Sequence, residues 1–260
     1  MSTNNNLSFE TQSTLPSNQS YVIVSLRFPD ERSDIVDLDE VNEVLRTIGV
    51  RVSTVDIPPN AKPILKKYET EALSDSDKSR LIELFNLTHE DLLEEVRLAG
   101  RTPTVAGGGV MTRDTTGNVY PNVIDMRTVT QEDRKYFLDK YGRLHVNSAN
   151  DGTGIDEVMT VVSGGPFRWA FTLKDGSVAR FTIERISPNG KAVRVSYPGL
   201  GMHAGIVDPE YGIMISFAHG PQEFVMRYDS PNTPHAELLG TNPWINYSSD
   251  MPKVLDKVEI

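Results

Sequence analysis

The chain has 260 residues, 38% of them hydrophobic and 24% charged, with a formal net charge of -10, enough for one large domain or two smaller ones with a sizeable core. The acidic balance, with no Lys/Arg-rich run, argues against nucleic-acid binding through phosphates. With no cysteine, disulfides, cysteine-held zinc or iron–sulfur centres and thiol nucleophiles are excluded. Any metal would rest on His, Asp and Glu, ligands that suit Fe, Mn, Zn or Ni.

Residues 1–20, MSTNNNLSFETQSTLPSNQS, contain no Lys or Arg and no apolar run. They lack the features of a secretory signal and read as a flexible polar tail. No apolar run approaches the ~20 residues of a membrane span. The expectation is a soluble, cytoplasmic protein with neither nucleic acid nor membrane as partner.

YVIVSLRF (residues 21–28) is rich in β-branched and aromatic residues and reads as a strand. LDEVNEVLRTIG (38–49) switches to helical spacing. Val41, Val44, Leu45 and Ile48 form one apolar stripe, and Gly49 is placed to end the helix. Val50, Val52 and Val55 then point to a second strand, closed by Pro58 and Pro59. Together these read as a β-α-β unit.

Two capped helices follow. SDSDKSRLIELFN offers Ser74 or Ser76 as N-cap and an apolar face of Leu81, Leu84 and Phe85. LTHEDLLEEVRLAG pairs Thr88 with Asp91 as a capping box, buries Leu92, Leu93, Val96 and Leu98, and stops at Gly100. His89 reads as an exposed helix-start residue. Gly107, Gly108 and Gly109 lie in a loop-rich stretch that reads as a hinge or flap. They match neither G-x-G-x-x-G nor the phosphate loop, so no nucleotide cofactor is expected. TQEDRKYFLDKYG (130–142) is a third capped helix, with Tyr136, Phe137 and Tyr141 on its expected buried side.

NSANDGTGID is dense in turn formers and marks the expected boundary. Beyond it, short alternating strands surround Asp175-Gly176 and Asn189-Gly190, both hairpin signals. Turns recur about every 8 to 12 residues, the spacing of an antiparallel sandwich or barrel. The expected fold class is α+β: a tail over 1–20, an α/β region over 21–150 and an antiparallel β domain over 151–260.

Chemistry concentrates in this second half. His203, His219 and His235 fall on or beside neighbouring short strands, each followed by a carboxylate: Asp208 and Glu210, then Glu223, then Glu237. Strands adjacent in sequence usually lie adjacent in space, so the three imidazoles could converge. His235 and Glu237, two apart, share a face if that segment is extended. The expected metal ligands are therefore His203, His219, His235 and Glu237, and the expected acid/base residues His203, His219 and Glu223. His145 could join from outside the cluster. Structural histidines at turns, or a metal-free pocket, are the alternatives. Trp169 and Trp244 read as core or pocket wall, and GTNPWINY (240–247) as a lid or a packed surface loop.

YPGLGMH, through Pro198, Gly201 and His203, resembles the second cupin motif, which ends on a metal-ligating histidine. The resemblance implies a small antiparallel β-barrel, a divalent metal (Fe, Mn, Zn or Ni) and a ligand role for His203. The first cupin motif, His-x-His followed by Glu, has no counterpart between Asp151 and Pro198, where no histidine occurs. Two readings stand. One is a small-molecule enzyme with a His/carboxylate site, of lyase, isomerase or oxygenase type. The other is a non-catalytic binding or regulatory protein whose N-terminal part serves a partner or homodimer. A secreted effector or structural protein is a third.

Overall fold

The computed structural model describes residues 24–103, 120–221 and 223–258. The polar tail and the Gly107–Gly109 run lie outside the described residues. In chain order the elements are β1 (Val24–Arg27), α1 (Leu38–Arg46), β2 (Arg51–Asp56), α2 (Lys62–Tyr68), α3 (Asp75–Leu84), α4 (His89–Leu98), β3 (Asn122–Asp125) and α5 (Gln131–Lys140). Next come β4 (Val146–Ser148), β5 (Asp156–Gly164), β6 (Phe167–Thr172), β7 (Val178–Ile183), β8 (Lys191–Tyr197), β9 (His203–Ile206), β10 (Gly212–His219) and β11 (Val225–Arg227). A 3-10 turn at Ala236–Leu238 and the short strands β12 (Ile245–Asn246) and β13 (Lys253–Val254) close the chain.

Three helices form where their caps were read, while α2, without a side-chain cap, was not expected. Ser74, Thr88 and Thr130 each close a capping box, with Asp77, Asp91 and Asp133 returning the hydrogen bond. Asp37 caps α1, and Gly49, at φ 76°, turns the chain out of it. Two apolar stripes differ from expectation. Leu98 is 46% exposed and Tyr136 48% exposed, while Leu138 is the buried residue of α5.

The strands form two antiparallel sheets, ordered β1-β7-β6-β9 and β2-β8-β5-β10-β3. Among the described residues both are open, so the arrangement is a sandwich rather than a closed barrel. The expected β-α-β unit is divided: β1 pairs with β7 in one sheet and β2 with β8 in the other, with α1 between them. Likewise Asp175-Gly176 does join β6 and β7 as a hairpin, but Asn189-Gly190 carries the chain from one sheet to the other. The two expected halves are not separate sheets either. Strands β1, β2 and β3 from before residue 150 lie within the sheets built after it. Each lends its apolar face to the same interior, which a division at 150 would expose.

Strand alternation then sorts the side chains into three layers. Between the sheets pack Val161 of β5, Trp169 and Phe171 of β6, Phe181 of β7, Val195 of β8 and Met214 of β10. The opposite face of the five-stranded sheet, with Val158, Val162, Ile213, Ile215 and Phe217, is covered by Leu65, Tyr68, Leu81, Phe85 and Leu92 of α2–α4 and their connections. The outer face of the four-stranded sheet, with Ala170, Val178, Ala204 and Ile206, is covered by Leu138, Trp244 and Ile245. Full burial of each large apolar side chain contributes about 1.5–3 kcal/mol. Glu95 fastens α4 to the sheet, accepting from Arg51 Nη1 at 2.7 Å and Arg194 Nη1 at 2.9 Å. Among the described residues no helix is long and apolar enough to cross a membrane.

Candidate functional site

Three short backbone segments meet at one end of the space between the sheets. Residue 145, just before β4, pairs antiparallel with the first residue of β9: His145 N donates to His203 O at 2.9 Å, and His203 N to His145 O at 3.0 Å. Asn147 N donates to Gly199 O at 2.7 Å, and Ile155 N to Asn147 O at 3.1 Å. This brings β4 against the start of β5, where Glu157 shares the inward parity of Met159 and Val161. Gly199 is required here: a Cβ would stand 2.1 Å from Ile155 O and 2.5 Å from Asn147 O.

The side chains that result form one buried polar cluster in an apolar wall. Glu157 Oε2 lies 3.1 Å from His203 Nε2, and Asn147 Nδ2 donates to the same carboxylate oxygen at 2.7 Å. Asn147 Nδ2 also stands 3.2 Å from His203 Nε2. The Tyr120 hydroxyl donates to Glu157 Oε1. The two imidazoles pack edge to face, ring centres 4.6 Å apart, and Tyr197 lies against His203 at the same separation.

Each imidazole is held by its other nitrogen. His203 Nδ1 donates to Gly201 O and His145 Nδ1 to Arg143 O, both at 2.7 Å. A carbonyl partner fixes the proton on Nδ1, so in the neutral ring Nε2 carries the lone pair. Burial, reinforced by the charge of His203, pushes His145 down to about 3, so it is a neutral imidazole at ordinary pH. Burial pushes Glu157 up, but the hydrogen bond and charge of His203, with the Tyr120 hydroxyl and His145, outweigh it and leave the carboxyl below its usual range. Burial and the Glu157 charge raise Tyr120 and Tyr197 well above the ordinary phenol value, so both hydroxyls keep their protons.

The cluster opens into a cavity of about 460 Å³ between the sheets. Its walls come from β3–β6, β8–β10, α5 and residues 224–226 and 228, and include Trp169, Tyr141, Phe224 and Tyr228.

The chain resembles, with 17% sequence identity and a TM-score of 0.53, the structure of acireductone dioxygenase from Bacillus anthracis with a cadmium ion in its active center. That likeness covers 80% of this chain and 99% of the other. No protein-family model and no curated protein matches the sequence.

Of the five residues expected from sequence as metal ligands or acid/base groups, only His203 reaches this cavity, while His145, expected as an outside contributor, lines it as well. His219 ends β10 with the parity of Ile213, Ile215 and Phe217, so it faces the helices, its ring 5.1 Å from that of His89. His89 is accordingly half-buried against the sheet. His235 sits in a left-handed turn at φ 58°, against Gly176, with Nε2 3.2 Å from Lys174 O. Glu237 is 3.8 Å from that ring and its side chain is 73% exposed. The segment is a turn, not the extended strand that would align the two. Glu223 is exposed and accepts from Asn150 Nδ2 at 2.7 Å. The expected set His203, His219, His235 and Glu237 is therefore not gathered. Among the described residues no three His, Asp or Glu side chains stand in an arrangement that could hold a metal ion. His203 and Glu157 make the pair that meets, with His145 beside it.

The residues missed from sequence are Glu157, Asn147 and Tyr120. Glu157 is a carboxylate inside an otherwise apolar strand. His145 and Asn147 lie upstream of the Asp151–Pro198 interval, Asn147 at the start of the stretch read as a boundary. Trp169, read as core or pocket wall, is both: it packs in the core between the sheets and lines the cavity. Trp244 is core, its Nε1 donating to Val178 O at 2.8 Å, so GTNPWINY is a packed segment rather than a lid.

Proposed function

We propose that the chain is a metal-dependent enzyme of oxygenase type, acting on a small molecule held between the two sheets. The observation that carries this is the pair of imidazoles, His145 and His203, each tied through Nδ1 to a backbone carbonyl, beside the buried carboxylate of Glu157. Anchoring by the far nitrogen is how proteins fix metal-ligating histidines. The donor types, imidazole nitrogen and carboxylate, suit a divalent ion such as Fe or Mn, and the Asn147 amide, whose nitrogen faces Glu157 and His203, keeps a buried oxygen with no hydrogen-bond partner. As the side chains stand, His203 and Glu157 are the pair that would hold the ion, and His145 and Asn147 would reach it only if the cluster rearranged around it. The direct His203–Glu157 contact is the one an ion would replace. The likeness to a cadmium-bound dioxygenase supports the same reading.

A bound divalent ion supplies Lewis-acid polarisation of substrate oxygen and access to dioxygen chemistry. The chain's own part is positional. The Tyr120 hydroxyl holds Glu157 from one side and Asn147 from the other, so the carboxylate cannot turn away. His145, held neutral by its burial, packs edge to face against His203 and fixes the plane of that ring. The Glu157 and His203 side chains are buried, at 4% and 3% exposure, which strengthens each charge in the site. His219, His235, Glu237 and Glu223 have no part in this reading.

Metal analysis of protein purified without a polyhistidine tag tests it. One divalent ion per chain, lost on His203→Ala, is the expected result. Metal below about one-tenth of an equivalent, unchanged after incubation with Fe(II) or Mn(II), would remove it.

A further inference from the structure

The register of the five-stranded sheet sets the floor of the cavity. Met214, Ser216 and Ala218 of β10 share the parity that faces the space between the sheets. Ala218 lies opposite Glu157, Ser216 lies between Met159 and Asn122, and Met214 lies opposite Ile124. Asn122 and Ser216 thus stand two residues, about 7 Å, along the floor from the level of Glu157. Both line the cavity and both are neutral. Ser216 Oγ donates to Asn122 O at 3.3 Å, which leaves the hydroxyl oxygen able to accept. Among the described residues no hydrogen bond holds the Asn122 side-chain amide.

Above this floor the walls are rings and thioethers. Seven of the chain's 20 Phe, Trp and Tyr residues line the cavity, a third of its 21 lining residues against 8% of the whole sequence. Phe224, Met226 and Tyr228, at every second position, line it together and stay half-buried. Phe224 meets Tyr120 edge-on and Tyr228 meets His145 likewise, each with ring centres 5.9 Å apart. Tyr120 and His145 in turn touch Glu157 and His203, so the aromatic wall is continuous with the buried cluster. Aromatic faces favour offset or edge-on contact with another flat ring, and thioethers favour ring edges, so this wall selects for planarity beyond mere apolarity. Lys140 also lines the cavity, but its Nζ donates at 2.7 Å to the hydroxyl of Tyr136, which is 48% exposed and outside the lining. Away from the cluster the described lining therefore offers rings, thioethers and neutral hydrogen-bonding groups.

We propose that the cavity binds an uncharged, flat aromatic molecule carrying a neutral hydrogen-bonding group, its ring between these walls and that group at Asn122 and Ser216. This rests on the reading of the cavity as the substrate site and deepens it by naming the substrate class.

Calorimetric titration with 2-naphthol and its saturated counterpart, decahydro-2-naphthol, tests the proposal, with the protein as purified and again after chelator treatment. Naphthol is expected to bind one per chain, at least ten-fold tighter than the saturated alcohol, under both conditions. In chelator-treated protein 2-naphthoate is expected to bind no tighter than naphthol. Asn122→Leu, with folding checked by circular dichroism, is expected to weaken both alcohols at least five-fold and to leave the preference for the flat ring. No naphthol binding, decahydronaphthol equal to naphthol, naphthoate tighter than naphthol after chelation, or naphthol affinity unchanged in folded Asn122→Leu would each overturn it. The flat-ring preference in protein shown to take up no metal would uphold the ligand class while the metal reading fails, and metal uptake without naphthol binding would sink the ligand class alone.

Discussion

Glu157 Oε2 stands 3.1 Å from His203 Nε2, and neither side chain is more than 4% exposed. The two residues come from different sheets, β5 and β9. Burying a carboxylate costs several kcal/mol unless partners satisfy it, and here His203, Asn147 and Tyr120 all converge on it. A core would gain more from an apolar residue at 157, so this charge reads as a functional commitment rather than a structural one.

Asn147→Asp probes that commitment. The amide that donates to Glu157 becomes a second carboxylate facing the first, and like charges at such range repel strongly. Metal-free protein is expected to lose about 1–3 kcal/mol of stability, read as a lower midpoint in urea unfolding. Added Mn(II) should restore most of that loss, because a divalent ion neutralises the pair. A variant that is destabilised but indifferent to Mn(II) would place Asn147 in a structural role alone.

Gly199→Ala tests how the strands are brought together. The added methyl would stand 2.1 Å from Ile155 O, closer than any relaxed contact, so β4 and the start of β5 must part. Overpacking of this kind costs about 1–3 kcal/mol. Because the same backbone carries Asn147 and precedes Glu157, ligand and metal binding should weaken as well. Unchanged unfolding and unchanged binding would contradict the packing described.

Thr88→Ala serves as the contrasting case. It removes the side chain that caps α4 by accepting from Asp91 N, at an expected cost of about 1 kcal/mol. Since α4 covers the outer face of the five-stranded sheet, metal affinity should stay within two-fold. A large change in binding would mean that the helical layer is coupled to the cavity.

Much of the local structure was legible in the sequence. Capping boxes at Ser74, Thr88 and Thr130 are encoded within four residues, as is the Asp175-Gly176 hairpin. Sheet membership was not. Val24–Arg27 and Arg51–Asp56 look like partners along the chain, yet each pairs with a strand more than a hundred residues away. The site shows the same limit. His203 was found from its Pro-Gly approach, but proximity in sequence put His219 with it. The alternation Ile213, Ile215, Phe217, His219 already assigns that ring to the other face of β10. Glu157 and Asn147 join His203 only through the register that ties β4, β5 and β9 together, and a single sequence does not display register.

The sharpest test of the whole account is the Co(II) stoichiometry of tag-free wild type, His145→Ala, His203→Ala, Glu157→Gln and His219→Ala, followed by visible absorption with folding checked by circular dichroism. The account predicts one ion per wild-type chain, binding weakened at least ten-fold in the first three variants, and full retention in His219→Ala. Retention in folded His203→Ala, or loss in folded His219→Ala, would contradict it.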